Sequence, residues 1–196
     1  MPFHLADEPP SCRQALLSGI HRLGTAIFSP ARLARLESAA PIPTWSLQGT
    51  AGPFTLDQSL KPVGFAYLLL EGDRAVGVSE VLKRSRGLWE LASVSTAYAR
   101  VLGHAIERAG GNRDFRRGQF EVRWLHAPLQ HVEALWFFST NRSLFWVLPP
   151  AVRRLKFRNP SPPERFFSRL YAQGPKTPIP GNGQIEGPRK GLPAPQ

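Results

Sequence analysis

The sequence predicts an α+β fold: an antiparallel sheet of about five or six strands, packed by N-terminal helices and one long central helix. Three observations carry this reading. Two stretches, one near the N-terminus and one near the middle, repeat apolar residues at helical spacing. Five or six short runs are apolar or alternate apolar with polar, and turn residues separate them. The strands follow one another as a hairpin and then a three-strand meander, with a helix between, which excludes a βαβ repeat. A chain of 196 residues, 42% hydrophobic and 10% aromatic, has enough apolar matter for one such core.

Residues 1–10 are expected to fray. Ser11 and Gln14 have the spacing of a capping box, in which each side chain satisfies a backbone N–H at a helix start. Leu16, Leu17, Ile20, Leu23 and Ile27 then form one apolar face. Ser29 and Pro30 read as a second N-cap with proline at the first helical position, and that helix stops before Pro41. Proline and glycine interrupt residues 41–62 except for a short strand at 44–48. Runs 63–71 and 74–82 flank a hairpin turn at Gly72-Asp73.

The stretch 88–110 is the long helix. Leu88, Ala92, Ser95, Tyr98, Leu102, Ala105 and Ile106 line one stripe, and Gly110 is its C-cap. Residues 119–127, 131–139 and 143–148 are three strands in succession, ended by Pro149-Pro150. A last helix at 161–174 has a capping box at Ser161 and Glu164. Residues 175–196 are rich in Pro and Gly and are predicted to be disordered. The chain thus divides into an α+β domain (11–150), a basic segment with a short amphipathic helix (151–174) and a tail.

Charge follows the same division. Residues 1–150 hold 16 Lys and Arg against 12 Asp and Glu, a net of +4, whereas residues 151–196 hold 9 against 2, a net of +7. The excess of Arg over Lys points to a GC-rich bacterial genome. Cys12 is the one cysteine, so there is no intrachain disulfide and no cysteine-rich zinc site. The longest purely apolar run, 63–70, is far short of the ~20 residues that span a bilayer. With no signal-peptide pattern at the start, the expected compartment is the cytoplasm.

Candidate chemistry is sparse. In a strand over 131–139, His131 and Glu133 share a face with Leu135 and Phe137, which makes them a long-shot acid–base or ligand-orienting pair at the rim of an apolar pocket. His126 is a possible third member, but this set matches no metal signature, and neither metal nor cofactor is expected. Cys12, beside Arg13 near a helix start, is a long-shot nucleophile. No GxSxG, HExxH, Walker A or GxGxxG pattern occurs.

Binding is the better-supported expectation. Phe166, Phe167, Leu170 and Tyr171 form an apolar stripe beside Arg165 and Arg169, a short helix that must dock on its own sheet, another subunit or a partner. Arg153, Arg154, Lys156 and Arg158 form a basic patch. Strands apolar on both sides need cover on both sides, and the predicted helices barely supply it. The favoured reading is a non-enzymatic interaction or accessory protein, self-associating or binding a protein partner, with the basic C-terminal segment as its attachment element. The alternatives are a small cavity enzyme or ligand binder and an unspecific nucleic-acid binder.

Overall fold

The chain turns back on itself at Gly72-Asp73, where Gly72 adopts a φ of 59° that favours glycine, and the hairpin it makes is the long axis of the sheet. The computed structural model describes residues 3–4, 6–48, 60–115 and 119–172. The strands are β1 (Phe3–His4), β2 (Glu37–Ser38), β3 (Ile42–Leu47), β4 (Leu60–Glu71), β5 (Arg74–Lys83), β6 (Trp89–Ser95), β7 (Phe120–Ala127), β8 (Val132–Ser139) and β9 (Arg142–Val147). The helices are α1 (Pro10–Gly24), α2 (Pro30–Leu33), α3 (Ala99–Gly111), α4 (Ala151–Arg154) and α5 (Pro163–Tyr171).

The class is α+β as expected, but all nine strands join one sheet, ordered β6-β5-β4-β3-β7-β8-β9 with β1 beside β7 and β2 beside β4. Most pairings are antiparallel; β3 and β1 run parallel to β7. The largest departure from expectation lies at 88–110. Residues 89–95 form β6, paired with β5, and the helix begins only at Ala99. Trp89 and Leu91 fit the period of a strand as well as that of a helix, and the open edge of β5 decides between them.

Smaller departures have local causes. Phe3–His4, expected to fray, pairs with Phe120–Glu121. The second helix ends at Leu33, because β3 pairs with only the Leu60–Ala66 part of β4 and Glu37–Ser38 takes up Leu69–Leu70 beyond it. The Ser29 cap forms, its hydroxyl accepting from the Arg32 N–H. The other two capping boxes do not: α1 starts at Pro10 and α5 at Pro163, each preceded by a proline at the cap. Residues 173–196, including the tail, lie outside the described residues.

Elements pack on both faces of the sheet. α3 lies on one face, where Leu102, Ala105 and Ala109 meet Trp124, Leu135, Phe137 and Leu144. On the other face the cover is shared. α1 packs Cys12 and Leu16 on Tyr67, Val81 and Leu91. The C-terminal segment covers the β3-β7-β8-β9 half, with Phe157, Phe166, Phe167 and Leu170 packed against Leu125, Trp136, Phe145 and Val147. Phe145 and Phe166 stack with centroids 4.2 Å apart and planes 8° apart. The β9 edge is closed as well: Phe145 and Ser161 exchange N–H···O bonds of 2.8 Å each, and the Asn159 side chain bonds both the N–H and the C=O of Val147.

The sheet curls toward α3. Bulges interrupt the β3–β4, β4–β5 and β5–β6 pairings. A Cβ on Gly64 would stand 2.1 Å from the Val81 carbonyl oxygen, so β4 and β5 approach there as glycine alone allows.

Phe166→Ala is expected to destabilise the protein by about 3–5 kcal/mol in urea denaturation, because it empties the centre of the C-terminal core. A chain ended at residue 150 should lose cooperative unfolding, since Trp136, Phe145 and Val147 would then face water.

Candidate functional site

Register builds a cluster of titratable groups on the inner, concave face. β7 and β8 place His126 directly opposite Glu133. Alternation puts both on the α3 side with Trp124 and Leu135. Glu80 reaches the same point from β5, three strand steps away and hence about 14 Å off in a flat sheet. Curling removes that distance: His126 Nε2 stands 3.2 Å from Glu80 Oε1. On the other side of the ring, Nδ1 lies 2.8 and 3.0 Å from the two oxygens of Glu133.

The supporting groups come from elements on either side. The Ser93 hydroxyl on β6 donates to Glu80 at 3.0 Å. The Trp124 indole lies against the imidazole, centroids 4.5 Å apart, and Tyr98, at the start of α3, covers the indole at 5.8 Å. Burial by itself lowers the affinity of His126 for a second proton; its contacts with Glu133 and Glu80 outweigh that and raise its pKa to about 9. Burial pushes the Glu80 carboxyl up, and contact with His126 and Ser93 outweighs it, so Glu80 sits below the ordinary carboxylate value. Burial, then the charges of Glu133 and Glu80, push the Tyr98 hydroxyl up.

What this arrangement can do follows from its protons. At neutral pH both ring nitrogens carry hydrogen and both face carboxylates, so the imidazole has no lone pair to offer as a base. Two carboxylates and one imidazolium leave a net charge of −1 in a site about three-quarters buried. The geometry is that of a clasp joining β5, β7 and β8. Among the described residues no group of three or more His, Cys, Asp or Glu is placed to hold a metal ion.

The expected pairing of His131 with Glu133 is corrected. β8 starts at Val132, and His131 sits before it as the left-handed cap (φ 51°) of a 3₁₀ turn over Pro128–Gln130, exposed and off the strand. Glu133 takes His126 instead. Glu80, Ser93 and Tyr98 were missed; the signal for Glu80 was its position as the one charge inside the apolar run of β5.

Cys12 lies in the first turn of α1 and is fully buried. Its sulfur is 3.2 Å from the Tyr67 hydroxyl, which donates to Glu8. Burial raises the thiol pKa, Tyr67 and Arg13 pull it down and Glu8 pushes it up, with a net rise. A buried thiol held protonated is not a poised nucleophile.

The C-terminal candidates separate into inner and outer sets. Phe166, Phe167 and Leu170 are buried against the chain's own sheet, and Tyr171 is half-buried beside them. Arg154 donates to the Gln130 and His131 carbonyls at 2.7 and 3.0 Å, and Arg169 to those of Leu155 and Lys156. Both guanidiniums cap turn ends, each bonding one carbonyl of a buried residue. Arg153, Lys156, Arg158 and Arg165 are exposed. On the same side of the sheet, Arg123 is enclosed by Trp45, Trp136 and Phe138, 3.9–4.8 Å from each ring, and bonds Glu121, so this aromatic cage already holds its cation.

Comparison with protein-family models, with curated proteins and with solved structures returns no match. No helix among the described residues is long and apolar enough to cross a membrane.

The clasp makes stability depend on pH. The folded protein holds the His126 proton up to about pH 9 while the unfolded chain releases it near 6.5, so this contribution is complete below 6.5 and lost as pH rises through 9. Glu80, lowered in the fold from 4.5, contributes above that value and loses its contribution as pH falls through its folded pKa. Denaturation midpoints measured across pH should therefore peak between the two limits. His126→Gln should lower that peak by about 1–3 kcal/mol and flatten the alkaline limb. Iodoacetamide should leave Cys12 unmodified in the native protein and alkylate it in denaturant.

Proposed function

We propose that the protein is a non-enzymatic interaction or accessory protein that binds an acidic surface of a protein partner through the exposed cations of residues 153–165. One observation carries the reading: Arg153, Lys156, Arg158 and Arg165 stand in solvent on a segment held against the sheet by Arg154, Arg169 and the Phe145–Phe166 stack. A charged surface on a rigid frame loses little entropy on binding. Those four side chains have no carboxylate partner among the described residues.

Charge and packing favour an acidic protein over the other occupants. A second copy would carry the same net charge of +11. A single-stranded nucleic acid needs exposed rings on which to stack, and Phe157, Phe166 and Phe167 are buried. The apolar stripe that would have served as a docking face is engaged internally, so the attachment surface is cationic. Catalysis is disfavoured because the His126 imidazole is closed on both sides by carboxylates.

Fluorescence anisotropy of a labelled poly-glutamate peptide tests this. The protein should bind it at low salt, lose affinity steeply as salt rises, and lose about tenfold or more on the triple substitution Arg153→Glu, Lys156→Glu, Arg158→Glu. Tighter binding of single-stranded DNA than of the peptide would move the assignment to nucleic acid. Absence of binding to either at low salt would end it.

A further inference from the structure

The concave face is wider than its cover. Six strand-to-strand steps along the sheet's path span about 29 Å, whereas one helix is about 10 Å across. α3 lies closest to β5 and β4, and the strip of β9 on its far side stays half open, with Trp146 only partly buried. The result is a cleft of about 510 Å³ between α3 and the end of β9, in the size range of small-molecule sites.

Its two walls differ in chemistry. Along the α3 wall stand Arg100, His104 and Arg108, exposed and spaced four residues apart, so the row runs about 12 Å along the helix. None of the three has an ion-pair partner among the described residues, and no carboxylate lines the cleft. The rest of the lining is apolar: half-buried Trp146, Val101 and Val152 and exposed Pro149, with Ala105 and Leu148 buried beneath them. The remaining polar side chain there, Asn159, has both ends of its amide committed to the Val147 backbone at 2.9 and 2.8 Å.

These facts select the ligand. An extended peptide would need backbone partners on β9, and Asn159 already occupies those of Val147. The chain's own residues 173–196 carry Lys176, Arg189 and Lys190 against Glu186 alone, so they do not complement a cationic wall. We propose that the cleft between α3 and β9 binds a small amphipathic anion, its carboxylate or similar head on Arg100, His104 and Arg108 and its apolar body on Trp146, Val152 and Pro149. This site is independent of the cations at 153–165.

Calorimetric titration of the full chain with decanoate, decanol and decyltrimethylammonium tests the proposal. Decanoate should bind one per chain, with the alcohol and the cation weaker by about tenfold or more. The double variant Arg100→Ala, Arg108→Ala should weaken decanoate by about tenfold and leave thermal unfolding and poly-glutamate binding unchanged. Arg153→Ala, Arg158→Ala should leave decanoate binding unchanged, which separates the cleft from the general positive charge of the protein. Equal uptake of the three probes, no uptake of decanoate, or undiminished binding in the Arg100/Arg108 variant would overturn the proposal.

Discussion

A sheet that is apolar on both faces must be covered on both, and this requirement organises the molecule. β8 and β9 alternate large apolar residues with large apolar residues, so neither side can face water. The convex side is divided between two elements from opposite ends of the chain, α1 over β4–β6 and the 151–171 segment over β3 and β7–β9. The concave side receives α3, with Phe3 and Phe115 packed beside it. The cover on the concave side is incomplete beside β9. Two chemically distinctive places lie on that face.

Across the interior strands, curling brings Glu80 within reach of His126 and Glu133. A charge trio in a partly buried site is stabilising only when each member is paired, and here the imidazolium contacts a carboxylate on either side. Its consequence is cohesion between strands that are not all neighbours, and a stability profile bounded by two ionisations. At the β9 side, α3 turns Arg100, His104 and Arg108 toward a cleft lined by Trp146, Pro149 and Val152. The first place is closed by its own charges. The second is open and carries unneutralised positive charge.

The C-terminal segment shows how one short stretch can combine roles. Its apolar residues complete the core, two of its arginines cap backbone carbonyls that would otherwise be bare, and the remaining cations face solvent. The Pro-rich composition around it sets where α5 starts, with Pro162 at the cap and Pro163 at the first helical position. Asn159, just before, imitates a strand residue and shuts the β9 edge.

Much of this was legible in the sequence. Alternation at Phe120, Val122 and Trp124, the Gly72-Asp73 turn, and the stripe at Leu102, Ala105 and Ile106 each rest on neighbours a few residues apart, and each appears in the structure. What tertiary structure decided depends on groups far apart in the chain. Residues 89–95 became a strand because β5 offered an unpaired edge. His126 is the centre of the clasp because register sets it opposite Glu133 and curvature delivers Glu80 from β5. Phe166 and Phe167 went into the core because half of the convex face lacked any other cover. Local periodicity encodes which face of an element is apolar. It does not encode which strand pairs with which, or how strongly the sheet bends, because those depend on contacts that exist only once the chain has closed.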